Sequence, residues 1–385
     1  MIQSRLPFRR NAPRRSLGVR PSAGRVFAGR VSTGPLRAGP VRSALLAALL
    51  AALPLPALAT PALVVDADSR AVLLAEDAGD PWYPASTTKL MSAYVTFRAI
   101  AAGEVDLETP VVVTKRAMGE ASLHAGLSAG RAMTLRDALY AMLVGSANEV
   151  AISLAQTVGG SVEGFVDRMN AAAAELGMNA TRFANPNGLF APEQHVTARD
   201  LALLGLAVTR DFPEYLPIFE TSEVVVDGKR LESENTLLTG YEGTLGLKTG
   251  FLCASGRNIV ALAERGGRSI LVVLLGATTG RERAERTAML MTEAFEGRLQ
   301  PTGLSLEAIP DRPEVPPQDM RVRLCTDAAA AYETERNRLY PMGLAGQPSY
   351  LDAAIAPRSH AITTWLQPVT VKVPVPRPRP AGPQG

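Results

Sequence analysis

The hydrophobic period changes twice along this chain, and that alternation constrains the fold more than any single motif. Residues 62–75 run Ala-Leu-Val-Val-Asp-Ala-Asp-Ser-Arg-Ala-Val-Leu-Leu-Ala, two short apolar strands around an Asp-Ser turn. The period then lengthens to that of helices. Leu90, Tyr94 and Phe97 share one face of a helix running to about Ile100, with Ser86 at its start. Thr134 and Asp137 form a capping-box-like start for another, which carries Leu135, Leu139 and Met142. The next has Val150, Leu154 and Val158 at fourfold spacing, so Ser146-Ala147-Asn148 falls in the link between two buried helices. A further helix opens at Ser161 and ends at Gly177.

Strand signals return with Val-Val-Val-Asp-Gly at 224–228, a tight-hairpin sequence, and continue at 245–249, 258–263 and 269–275. The last two pair naturally across Gly266-Gly267, and residues 281–295 are again helical. Hairpin, helical block, strands, final helix: that order predicts an α/β chain of the α+β type, an antiparallel sheet flanked by helices with a mostly helical subdomain.

The two ends differ in character from this middle. The first 43 residues hold ten of the 40 basic residues, all Arg, and no acid, leaving 30 basic against 37 acidic residues in the remainder. That remainder has no excess of Lys and Arg to meet a phosphate backbone, so a nucleic-acid partner is not expected. Residues 44–59 are apolar, end in Ala57-Leu58-Ala59 and contain Pro54 and Pro56; they read as a signal peptide rather than a membrane span, with cleavage after Ala59. Arg14-Arg15 leaves a twin-arginine route open. Residues 1–59 are therefore expected to be a leader, 60–299 a catalytic domain, and 300–385 a Pro-rich extension, extended or disordered at its end. Export to the periplasm or the outside of the envelope follows, with no transmembrane anchor in the mature chain. In an oxidising compartment the two cysteines, Cys253 and Cys325, make a plausible disulfide; two buried thiols are the alternative.

Three short motifs carry chemistry. Ser86-Thr87-Thr88-Lys89 sets a hydroxyl and an amine three residues apart, on one face of a helix. Lys89 can serve as base only if burial and a nearby cation lower its pKa, because an ammonium has no lone pair. Lys248 can supply that charge; with Thr249 it also suits a substrate carboxylate, while Gly250 admits close approach of a backbone. Ser146 and Asn148 supply a proton relay and an amide-binding side chain. Each motif alone is as readily a cap or a turn, and a second Ser-x-Asn occurs at Ser233-Glu234-Asn235. Their order, at a helix start, an interhelix link and then a strand, is what this chemistry requires.

With those motifs stand Pro84-Ala85-Ser86-Thr87-Thr88-Lys89-Leu90-Met91, Asn185-Pro186-Asn187-Gly188-Leu189, Thr197-Ala198-Arg199-Asp200-Leu201 and Leu247-Lys248-Thr249-Gly250-Phe251. From about residue 62 to 295 the chain resembles the low-molecular-mass penicillin-binding proteins, serine D-alanyl-D-alanine carboxypeptidases. The resemblance implies a β-lactamase/transpeptidase-like fold and removal of the terminal D-alanine from peptidoglycan stem peptides, without a cofactor. It implies Ser86 as nucleophile, Lys89 as base, Ser146 and Asn148 as second element, and Lys248 with Thr249 as carboxylate site. The backbone N–H groups of Ser86 and Phe251 would form the oxyanion hole, and β-lactams would be covalent inhibitors. The chain departs from the family at Leu252, where a hydroxyl residue is common, and after about residue 299, where neither the β-rich second domain nor a C-terminal amphipathic helix is recognisable.

Rival readings are few. Gly126-Leu127-Ser128-Ala129-Gly130 with His195 matches the nucleophile elbow of α/β-hydrolases but follows no strand pattern. Three histidines, His124, His195 and His360, make a zinc site improbable. Glu175 and Asn179 echo the spacing that activates a deacylating water in class A β-lactamases, though they read more simply as a helix end. A D,D-endopeptidase cutting crosslinks would use the same residues, and a non-catalytic peptidoglycan-binding protein would have kept the fold alone.

Overall fold

A computed structural model describes residues 60–121 and 126–367. The expected leader and the Pro-rich terminus from 368 lie outside the described residues.

The chain opens with the expected hairpin, β1 (Ala62–Asp66) and β2 (Val72–Glu76). After a 3-10 turn come α1 (Lys89–Ala101), β3 (Pro110–Val112), α2 (Lys115–Glu120) and β4 (Arg131–Thr134). The helical block continues through α3 (Leu135–Leu143), α4 (Asn148–Gly159) and α5 (Val162–Glu175). Thr134 and Ser161 cap α3 and α5, their side chains accepting from the N–H groups of Asp137 and Gly164. Then follow α6 (Ala198–Asp211), the hairpin β5 (Glu223–Val226) and β6 (Lys229–Glu232), three long strands β7 (Thr244–Leu252), β8 (Gly256–Arg265) and β9 (Arg268–Ala277), and α7 (Gly280–Phe295).

The central sheet is antiparallel throughout, in the order β2-β1-β9-β8-β7. Alternate residues enter two different cores: Leu63, Val65, Val260, Leu262, Leu271 and Val273 pack with the helical block, while Val64, Ile259, Ala261, Ile270, Val272 and Leu274 pack with Ala288, Leu290 and Met291 of α7. A sheet buried on both faces needs apolar side chains at every position, which is why 270–275 is a continuous apolar run. The sheet's edges are β2, partly covered by backbone bonds between Val72 and residues 302–304, and β7.

Helix α6 escapes a reading by periodicity for the same reason. Residues 198–208 are all buried, so no polar stripe marks the helix, and only Thr197, accepting from the Asp200 N–H, signals its start.

Residues 300–367 belong to the same compact unit as residues 60–299. They add α8 (Arg321–Leu324), α9 (Ala329–Leu339), β10 (Ser359–Ile362), which extends β5 in parallel, and β11 (Trp365–Leu366), which pairs with β4. Glu282 of α7 bonds Arg336 of α9, both buried, and the disulfide Cys253–Cys325 ties α8 to the β7–β8 turn. This segment is aperiodic because specific polar contacts hold it rather than an amphipathic face: of α9 only Arg336 is buried. Among the described residues no helix is long and apolar enough to cross a membrane.

Candidate active site

Ser86 lies on the 3-10 turn Ala85–Thr88, directly ahead of α1. Its approach is held by Asn258 of β8, whose Nδ2 donates to the carbonyls of Tyr83 (2.9 Å) and Pro84 (3.0 Å) while its Oδ1 accepts from the Gly276 N–H. Ala85 sits at φ +49°, left-handed backbone that a residue with a Cβ keeps only when its surroundings impose it. The neighbouring 185–189 loop fits against it through Gly188, where a Cβ would fall 1.9 Å from the Ala85 carbonyl oxygen.

Lys89 is wholly buried. Its Nζ lies 2.9 Å from Ser86 Oγ, 2.8 Å from Asn148 Oδ1 and 2.5 Å from the Asn187 carbonyl oxygen. Burial, and secondarily the charge of Lys248, push its pKa well below that of an ordinary lysine, against an opposing pull from Glu149. The geometry suits the neutral amine. Two of its neighbours are carbonyl oxygens that can only accept, so they take its two N–H bonds, and the lone pair is left for the Ser86 hydroxyl.

Ser146 occupies the α3–α4 link at φ +54°, a second residue held in left-handed backbone. Its Oγ accepts from Lys248 Nζ at 3.1 Å. Lys248 is buried on β7, and burial, with the neighbouring Arg283 charge, lowers its pKa to about 7. Gly250 is required here by contact rather than by conformation: a Cβ would lie 2.7 Å from the Ser86 nitrogen and 3.0 Å from that of Thr87. Phe251 projects outward, 44% exposed, under the Arg257 guanidinium 4.7 Å from its ring. Ser86, Ser146, Asn148, Lys248, Thr249 and Gly250 thus line one cleft of about 400 Å³, with Phe251 on its rim.

Asn187 belongs to a stretch that carried the resemblance but no role, and three further residues of the site carried no signal in the sequence: Asn258, Arg257 and Arg283. The last two line the cleft with Glu234. Arg283 is buried, its pKa drawn down to about 10 by burial against the pull of Glu234. The decoys lie elsewhere. Ser128 is in an exposed loop ahead of β4, not after a buried strand, and His195 pairs through its backbone with Arg182. Glu175 ends α5 in an exposed ion pair with Arg98. Asn235, of the second Ser-x-Asn, is buried outside the cleft.

Residues 51–279 match the family model described as D-alanyl-D-alanine carboxypeptidase. The chain belongs to that family. Among its relatives is the D-alanyl-D-alanine carboxypeptidase DacC of Escherichia coli K12, 36% identical over 239 residues, 60% of each chain. Penicillin binding protein 5 from Haemophilus influenzae superposes with a TM-score of 0.59 at 28% identity, covering 62% of this chain and 71% of that one. Penicillin-Binding Protein D2 from Listeria monocytogenes, solved in a cefotaxime bound form, gives 0.57 at 30% identity over 62% of this chain and 97% of its own. The expected transpeptidase-like α+β fold is the one observed. The chain spans about 60% of the length of the first curated relatives it matches.

Proposed function

We propose that this chain is a serine D-alanyl-D-alanine carboxypeptidase that removes the terminal D-alanine of peptidoglycan stem peptides. The observation that carries the reading is the environment of Lys89 Nζ, buried against two obligate acceptors with Ser86 Oγ as its third neighbour.

Neutral Lys89 takes the Ser86 proton as Oγ attacks the penultimate D-alanyl carbonyl, and the resulting oxyanion lies between the N–H groups of Ser86 and Phe251. Lys248, Thr249 and Arg283 hold the terminal carboxylate by charge-assisted bonds. Ser146, in contact with Lys248, relays the proton taken up by Lys89 to the leaving amine, D-alanine departs, and water hydrolyses the acyl ester, restoring the Ser86 hydroxyl and neutral Lys89. A β-lactam presents a strained amide in place of the dipeptide; the cefotaxime-bound Listeria relative supports the same susceptibility here. The disulfide and the nature of the substrate both favour action outside the cytoplasm, in the periplasm or at the envelope exterior.

Ser86→Ala is expected to abolish both D-alanine release from a pentapeptide and labelling by fluorescent penicillin, and Ser128→Ala to preserve both. The opposite pattern would reject the assignment. Product masses from a crosslinked dimer separate this reading from an endopeptidase.

A further inference from the structure

Strand β7 sets the direction in which a substrate must lie. If the terminal carboxylate sits at Lys248 and Thr249 and the scissile carbonyl at the Phe251 N–H, the peptide upstream of that bond runs past Phe251 toward the β7–β8 turn. There it meets the C-terminal extension. The Met320 N–H donates to the Ala254 carbonyl at 3.0 Å, Met320 itself is buried, and Cys325 is bonded to Cys253 in that turn. Two independent ties therefore anchor a strap, residues 319–325, beside the upstream end of the cleft.

The strap carries Arg321, whose Cζ lies 4.0 Å from the centroid of the Phe190 ring. Phe190 in turn meets the ring of Tyr83, three residues before the nucleophile, at 5.1 Å. Asp319 accepts from the Arg321 backbone N–H at 2.9 Å and lies 3.0 Å from its Nη1, which fixes the guanidinium over the ring. Of five N–H donors that pairing uses one, and the Arg321 side chain is 46% exposed. A planar cation held flat on an aromatic face, already ordered and with open donors, is suited to pair with a carboxylate.

We propose that Arg321, held over the Tyr83–Phe190 pair by the disulfide-anchored strap, is a specificity-determining cation for a carboxylate on the acyl-donor peptide upstream of the scissile bond. This rests on the carboxypeptidase reading and assigns the extension a part in substrate choice. The charge acts on the bound peptide and not on the reacting atoms, so its effect belongs in KM rather than kcat.

The test uses the full mature chain and two synthetic pentapeptides ending in D-alanyl-D-alanine, identical but for a carboxylate or a carboxamide on the residue before that dipeptide. The acidic peptide is expected to have the higher kcat/KM by about two- to fivefold, the range of a partly exposed ion pair. Arg321→Gln should bring the ratio to about one, Arg321→Lys should restore part of it, and Arg321→Glu should invert it. A ratio that is the same in all four proteins overturns the inference alone. Release of D-alanine from neither peptide by the unmodified chain overturns the carboxypeptidase reading, and this inference with it.

Discussion

Gly250→Ala is the substitution whose consequence can be worked most directly from the geometry. The added methyl would stand 2.7 Å from the Ser86 nitrogen, 3.0 Å from the Thr87 nitrogen and 3.1 Å from Ala85 Cβ. Relief to ordinary contact requires about 0.7 Å of separation between β7 and the nucleophile turn. The turn has little freedom to move, since Asn258 fastens the carbonyls before it to β8. β7 has more, being an edge strand. Its outward shift would carry the Phe251 N–H away from the oxyanion position while the fold persists. Loss of one such donor costs about 3 to 4 kcal/mol of transition-state stabilisation, or roughly 10²- to 10³-fold in rate. Acylation by a chromogenic or fluorescent penicillin in stopped flow, beside a thermal melt, measures both consequences. Acylation within threefold of the unmodified chain would refute the argument, because it would mean that the strand and the nucleophile turn need not touch.

Further outcomes follow from the same geometry. Lys89 must be neutral to accept a proton and Lys248 charged to hold a carboxylate, so kcat/KM for peptide should rise with pH as Lys89 deprotonates and fall again above about 7 as Lys248 does. Lys248→Arg should carry the falling limb to higher pH; a profile with no falling limb in the unmodified chain counts against the role of Lys248. Replacing both cysteines by serine opens a loop of 72 residues and should cost about 4 kcal/mol on the chain-entropy model, read from denaturant unfolding, with a loss under about 1 kcal/mol contradicting it. Asn258→Ala strips the Tyr83 and Pro84 carbonyls and the Gly276 N–H of their partners, at a cost of about 3 kcal/mol, and should slow penicillin labelling as the turn loosens. Labelling at the unmodified rate would show that Asn258 supports the fold without positioning Ser86.

Local chemistry was legible where it acts over a few residues. Thr134 and Ser161 cap their helices as their sequence context predicts, and Asp227-Gly228 turns the β5–β6 hairpin. The motif residues fall at a helix start, an interhelix link and a strand, because caps, turns and periodicity are properties of short stretches. Where every side of an element is buried, the signal fades. α6 has no polar stripe to give it away, and residues 300–367 are held by the Glu282–Arg336 pair and short strand pairings that no local pattern encodes, beside a disulfide that the two cysteines lead one to expect.

What the amino-acid order determined by itself was therefore the inventory: a hydroxyl, two amines and a carboxamide placed on elements of the right kind, and a chain able to build one antiparallel sheet. The tertiary structure decided how those groups would behave. Lys89 and Lys248 are ordinary lysines until packing removes water from both and brings a second cation near each, which is what moves their pKa values. Arg257 and Arg283 line the cleft because β8 pairs with β7 and α7 packs on β8, and Arg321 reaches its aromatic platform on a strap tied by the Met320–Ala254 hydrogen bond and by a disulfide spanning 72 residues. Propensity and capping are short-range energies, whereas desolvation and convergence depend on contacts between residues far apart in the chain, and those exist only once the core has closed.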